Sequence, residues 1–458
     1  MIDFELLEIN TVDDYDRLVD KLKNIFPNAV HETLIIELKQ RVGPSCEMIV
    51  VEFPYRDYDF SSVYSSFYAK KHQSVSRECA RLHLFSSHEI VQKSYIGYVV
   101  VRDSLVDSRG RAILEPKFLK TTAKAYVVKS EMKAHIAGMP LKINTFPWMA
   151  QDTDISICAH IAVWSIVNYY ANKYPNYKIS SIGEISEKTP HYLGRKTPSE
   201  GLNLLQVSEL LSINGFYPLV LRKRSNNDSD FFRALYAYIE SGIPMVAAMT
   251  QKEHAVAIIG HGEFDMAKLK ASHDRIIYIA DYLSDFIISD DNVFPFTSIT
   301  RSGGSYTFDD LDYVIVPLYE KMYLNANIVY KRVEGLITTN VLNIPGVIVL
   351  RVYLTSIRSL KREALKNSSM NEILKSTLIK LPAPQFVWCA DICIKDEYND
   401  QLTSARIIID STAGTYENDP WLLMHDKEKI IFKDGQNINR IDVQIDSYDM
   451  YKNNLKEA

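Results

Sequence analysis

The chain predicts an α+β fold in three units, a central one between two mixed flanks, and three observations lead there. At 458 residues it exceeds what one hydrophobic core fills, so two to three domains are expected. A long apolar helical pattern, Cys158–Tyr174, heads a block whose second half reads as successive strands. That grouping belongs to an α+β layout rather than a doubly wound one. The pattern changes around Pro140–Pro147 and again near Lys321, which sets the units at 1–142, 143–320 and 321–458.

In the first unit, Val12–Phe26 carries apolar residues at helical spacing, with Thr11 or Asp13 available as N-cap. Glu47–Phe53 and Ile96–Val101 are rich in β-branched residues and read as strands. Between them, Phe60–Leu84 places Tyr64, Phe67, Tyr68 and Cys79 at roughly helical spacing. In the second unit the helix from Cys158 is followed by a helix over Gly201–Asn214 that ends at Gly215, a natural C′ residue. A third helix, Asp230–Ser241, closes at Gly242 before Ile243-Pro244 and the strand Met245–Met249. His254–Gly260, Ile276–Ala280 and Phe286–Ser289 then read as strands. In the third unit, strand-like runs at Val347–Tyr353, Gln385–Ile394 and Arg406–Asp410 flank a helical stretch, Ser356–Ile379.

Composition narrows the function classes. Hydrophobic content of 47% and charged content of 24% are ordinary for a soluble globular protein. A net charge of −5 and a pI near 6.2 argue against bulk nucleic-acid binding. The short run Arg222-Lys223-Arg224 has no interleaved aromatics and reads as a solvated turn. The opening MIDFELLEINTVDDYDRL lacks the basic and apolar regions of a signal peptide. No window reaches the ~18 apolar residues of a membrane span. A soluble, cytoplasmic protein is the expectation. Five cysteines, odd in number and sparse, do not make a disulfide framework. Cys389 and Cys393 lie on a strand pattern where i and i+4 share a face, with no second Cys/His pair at matching spacing. Neither a metal nor a cofactor is expected.

The residues that carry chemistry are in the central unit. A thiol is a strong nucleophile only as thiolate, and the partial positive charge of a helix N-terminus favours that form. Cys158 occupies such a position, led in by the polar segment QDTDIS. A histidine imidazolium supplies further positive charge, and a third group must hold its ring. His254 opens the strand pattern HAVAIIGHG, and Asp290-Asp291 follows a later strand. Asp290 directly follows Phe286–Ser289, where an orienting group should emerge; Asp291 and Asp281 are the other acids nearby. His160 is two residues from Cys158 and so on another helix face, and His261 falls in a Gly-His-Gly turn expected to be exposed. Trp164, Tyr169 and Tyr170 read as core packing of a buried central helix.

A helix-initiating Cys, a strand-initiating His-Ala-Val and an acid after a further strand resemble papain-like cysteine peptidases. The order is similar to that of the double-glycine peptidase domains of bacteriocin exporters. The Gly242-Ile243-Pro244 segment resembles the family's approach to the histidine strand, and Asp-Asp-Asn before Pro295-Phe296 resembles a turn of bacterial papain-fold proteins. The resemblance covers about 175 residues. It implies a central domain in which the helix carrying Cys packs on an antiparallel sheet. It also implies a protein or peptide substrate, with Cys158 as nucleophile, His254 as acid–base partner and Asp290 as orienting residue. Gln151, seven residues before Cys158, matches the family's oxyanion-hole glutamine. The chain departs from the family in having Cys158-Ala159-His160 where glycine is frequent, and in a slightly longer Gln–Cys interval.

The order of residues does not separate peptidase or isopeptidase chemistry from transglutaminase-like or amidase acyl transfer, since all proceed through an acyl-enzyme. A papain-fold pseudoenzyme that binds a partner through its flanks is the non-enzymatic alternative.

Overall fold

The structure is a computed structural model that describes residues 3–72, 74–119, 124–152, 157–191, 201–339, 341–452 and 455–458. It is a mixed α+β protein with several sheets in which strand pairing is almost entirely antiparallel. Among the paired strands described, Ile276–Tyr278 joins Ile348–Ser356 in parallel. Among the described residues, no helix is long and apolar enough to cross a membrane.

A six-stranded sheet runs Asp3–Glu8, Met48–Tyr55, Cys79–Phe85, Tyr95–Val101, Arg109–Leu114 and Trp148–Met149 in spatial order. Its alternation divides two cores. Ile49, Val51, Leu82, Leu84, Val99 and Val101 face the core shared with the helices Tyr15–Ile25 and Glu32–Glu37. Met48, Val50, Tyr98 and Val100 face the hairpin Ser130–Ile136/Met139–Thr145. Cys79, expected on a helical run, instead opens a strand. The helix there is Tyr58–Ser66, and the seven residues from Cys79 are all buried in strand pairing. Aromatic spacing at 64, 67 and 68 fits a helix, but extending that period to 79 ran past its end.

The central sheet has the order Tyr217–Arg222, Tyr313–Leu318, Met245–Met249, His254–His261, Asp285–Ser289 and Thr297–Thr300. The strand His254–His261 is packed on both faces. Ala255, Ala257 and Ile259 belong to the core of the helix Cys158–Lys173, whereas Val256 and Ile258 face the helix Ser229–Glu240. The helices that flank this sheet end where glycine permits, with Gly215 at φ +92 and Gly242 at φ +78. Tyr126–Val127 and Lys456–Glu457, from either side of the central block, add to this sheet. Ile276–Tyr278 leaves it for the next one.

The third sheet contains Ile348–Ser356, Phe386–Ile394, Ala405–Asp410, Trp421–His425, Lys429–Asp434 and Asn437–Asp442 after Ile276–Tyr278. The expected helical stretch over 356–379 is two helices, Ile357–Lys366 and Glu372–Lys380. Asn367 accepts from the backbone N–H of Ser369 and Met370, and Asn371 caps the second helix through Ile373 and Leu374. Cys389 and Cys393 are fully buried in strand packing. The helix Ala326–Thr338 joins this sheet to the central one.

A buried charged network links the central and third sheets. Glu240 meets His261 Nε2 at 3.0 Å and Arg351 Nε at 2.9 Å. Arg351 continues to Asp391 at 3.3 Å, which accepts from Arg406 Nε at 2.6 Å. His261 is therefore not the exposed turn residue expected from Gly-His-Gly. It is 3% exposed, because the strand runs on through it and Glu240 receives its ring.

Candidate active site

The helix Cys158–Lys173 begins directly at the cysteine, with Ile157 still extended before it. The twelve residues Ala159–Tyr170 are all buried, among them Trp164, Tyr169 and Tyr170, while Cys158 remains half-buried. The thiol thus sits at an accessible end of a helix whose body is enclosed, beside its unpaired backbone N–H groups. The other four cysteines are buried, and desolvation pushes the thiols of Cys46 and Cys389 up to about 11 and about 12. His160 stays within the helix start, where its Nδ1 accepts from the Ile157 N–H at 3.5 Å.

His254 begins its strand after Glu253, which takes a left-handed conformation at φ +50. The adjacent strand Asp285–Ser289 pairs antiparallel, with Ser289 opposite Ala257. One residue further, Asp290 comes level with Val256, and so lies diagonally from His254 across the pair. Its carboxylate meets His254 Nε2 at 3.0 Å through Oδ1. Asp290 Oδ1 also accepts from the Asn292 backbone N–H at 3.0 Å, and Tyr306 donates to Oδ2 at 3.0 Å. Tyr306 stacks on the His254 ring at 5.9 Å between centroids and 25° between planes.

Charge follows from these contacts. Burial alone would lower the His254 pKa. Hydrogen bonds to Asp290 and Cys158, with the charges of Asp290 and Asp291, outweigh it and raise the ring to about 10. Burial would raise Asp290, but the hydrogen bond and charge of His254, joined by Asn292 and Tyr306, hold it below the usual carboxylate range. Nε2 is taken by Asp290, so Nδ1 is the ring nitrogen left for the thiol.

Of the three acids near the site in sequence, Asp290 makes the hydrogen bond to His254. Asp291 Oδ1 stands 3.8 Å from the same nitrogen, and neither of its oxygens has a hydrogen-bond partner. Burial pushes Asp291 up to about 7. Asp281 is paired with Arg233 at 2.9 Å and 2.5 Å and takes no part. Gln151 is present at the site, its Nε2 donating to Asn292 Oδ1 at 3.4 Å. Residues 153–156 of the polar lead-in lie outside the described residues.

Two residues at the site escaped sequence reasoning, Asn292 and Tyr306. Asn292 Nδ2 lies 3.4 Å from His254 Nε2, between that ring and Gln151. Its position two residues past Asp290 was a usable signal; Tyr306 sits in a separate loop and gave none.

The first 150 residues build the site's frame. Trp148 Nε1 donates to the Asp290 carbonyl at 2.5 Å, and Arg109 Nη1 to the Asn292 carbonyl at 3.0 Å. Glu37 accepts the Phe294 N–H at 2.8 Å, and Arg41 donates to the Pro295 carbonyl at 2.6 Å. The acid loop is therefore gripped by three side chains of the first unit and by Trp148 just beyond it. Gln151 is fixed by Arg102 through its carbonyl at 2.6 Å, and the cysteine helix by Asp59, which accepts from Trp164 Nε1 at 2.9 Å. A cavity of about 380 Å³ opens beside the site, bounded by Gln151, Asp291 and Asn292 on one side and Arg102, Asp107 and Arg109 on the other.

Fold and site together define a mixed α+β protein in which a thiol at a helix N-terminus, a histidine and a buried carboxylate converge. Compared with models of protein families, with curated proteins and with solved structures, the chain matches none.

Proposed function

We propose that the protein is a papain-like thiol hydrolase that cleaves a peptide or isopeptide bond through Cys158, His254 and Asp290. The observation that carries this reading is the histidine: its Nε2 is held by Asp290 at 3.0 Å, and its ring hydrogen-bonds to a thiol at a helix N-terminus. A ring raised to about 10 is an imidazolium at neutral pH, the partner that a thiolate needs.

In the proposed reaction the Cys158 thiolate attacks the substrate carbonyl carbon. The backbone N–H of Cys158 and the Gln151 side-chain amide receive the developing oxyanion. The tetrahedral intermediate collapses as His254 protonates the leaving nitrogen, which departs as an amine. His254, now neutral, takes a proton from water, and the hydroxide releases the acyl group as a carboxylic acid. Asp290 keeps the ring oriented throughout. The first unit serves as framework for this site, which accounts for its contacts to the acid loop, to Gln151 and to the cysteine helix.

The test is the rate of iodoacetamide alkylation against pH, mapped over all five cysteines by mass spectrometry. Cys158 should react fast at about pH 6, and His254→Ala should slow it. Alkylation of Cys158 no faster than an ordinary thiol, or turnover of any substrate retained in Cys158→Ala, would overturn the reading.

A further inference from the structure

The proposed mechanism leaves one buried group at the site unused. Asp291 is 3% exposed, and neither carboxylate oxygen finds a hydrogen-bond donor. A charged group so placed is costly unless something pairs with it. Its Oδ1 points at His254 Nε2 from 3.8 Å, and Asp290 Oδ1 is 3.0 Å from that same nitrogen. One ligand atom from each of His254, Asp290 and Asp291 falls within 4.8 Å of the others. Donor atoms around a tetrahedral zinc ion, with bonds of ~2.0–2.2 Å, stand about 3.3–3.6 Å apart. The three atoms bracket that spacing.

We propose that His254, Asp290 and Asp291 form a binding site for a divalent cation of the zinc class, occupied in competition with the hydrogen bond that orients His254. One imidazole and two carboxylates make a mixed nitrogen–oxygen set, which suits zinc-class ions; magnesium and calcium favour oxygen alone. The dication neutralises both carboxylates and gives Asp291 a direct bond in place of its charge contact with His254 at 3.8 Å. Tyr306, on the other oxygen of Asp290, is the outer contact that holds a ligating carboxylate in place. The 380 Å³ cavity is lined in part by Asp291. Three protein ligands would leave the fourth position of a tetrahedral ion to water.

Nε2 cannot bond a cation and donate to Asp290 at once. The ion therefore holds His254 as a neutral imidazole, withdraws its positive charge from Cys158 and switches the thiol off. This inhibitory consequence rests on the thiol-hydrolase reading; the binding itself does not.

The experiment is titration of the full chain with zinc chloride, followed by native mass spectrometry and calorimetry, with magnesium chloride as comparison. Wild type and Cys158→Ala should each bind one zinc ion with equal affinity, and neither should bind magnesium. Asp291→Asn, close in shape, should weaken zinc at least ~10-fold, since loss of even an outer-shell partner costs that much. Thermal melting verifies that this variant folds. The cobalt(II) spectrum of wild type provides a second readout that needs no variant: visible d–d bands without a thiolate charge-transfer band. Zinc binding lost in Cys158→Ala, a thiolate band with cobalt, unchanged affinity in Asp291→Asn, or no binding at all would each overturn the proposal. Slow alkylation of Cys158 in metal-free protein, with zinc binding intact, would instead remove the thiol-hydrolase reading and leave the metal site standing.

Discussion

Replacing Asp290 with Asn tests the electrostatics of the site at its centre. The His254 ring lies at about 10 against an ordinary 6.5. At about 1.4 kcal/mol per pH unit, that displacement is a preference for the imidazolium of roughly 5 kcal/mol. The ring side chain is 11% exposed, so solvent screens little of it. Four attractions oppose the cost of burial: a hydrogen bond and a charge from Asp290, a hydrogen bond from Cys158 and a charge from Asp291. Asn at 290 keeps the shape but removes the charge and weakens the hydrogen bond. About half the preference should go, lowering the ring by ~2 pH units. The assay is a histidine C2–H NMR titration, with His254→Ala identifying the resonance. Alkylation of Cys158 at pH 6 to 8 should slow in parallel. A ring that titrates near 6.5 in wild type, or stays near 10 in Asp290→Asn, would refute the reasoning. The sign for stability is that of a raised basic group: its contribution is full below 6.5 and is lost as pH rises through about 10.

Other outcomes follow from the same contacts. Asp291 is raised from 3.8 to about 7, so the folded state holds its proton more tightly than the unfolded chain and stability falls as pH rises across that window. Asp291→Asn should therefore gain melting temperature relative to wild type between pH 5 and pH 8, and a loss over that range contradicts the argument. Arg351→Met leaves Glu240 with only His261 and Asp391 with only Arg406 in the junction between the central and third sheets, and denaturant unfolding should show a loss of about 3–5 kcal/mol. Trp148→Phe deprives the Asp290 carbonyl of its donor, at a cost of ~1–3 kcal/mol. It should also slow Cys158 alkylation, which a purely structural tryptophan would leave unchanged. Gln151→Ala should leave alkylation intact and reduce turnover of a substrate about 100- to 1000-fold, since only the oxyanion uses that amide.

The sequence determined what local periodicity and turn chemistry can encode. Helices ending at Gly215 and Gly242, the strands over 245–249 and 254–260, and a thiol at the first residue of a buried helix were all legible. The order of Cys158, His254 and Asp290 was legible too, because each stands at the end of an element that its neighbours define. Where locality misled, the overriding cause was non-local or a cap. Cys79 joined a strand through pairing with the edge at Tyr55, and His261 was drawn inside by Glu240, 21 residues earlier. Asparagines at 367 and 371 split one apolar period into two helices. The sequence favoured Asp290 over Asp291 by its place directly after a strand, and the tertiary structure supplies the reason, since one residue of register decides which carboxylate reaches the ring. The tertiary structure alone revealed that the acid loop is gripped by Glu37, Arg41, Arg109 and Trp148. Those contacts span 142 to 257 positions of sequence, and no periodicity reports a partner at that distance.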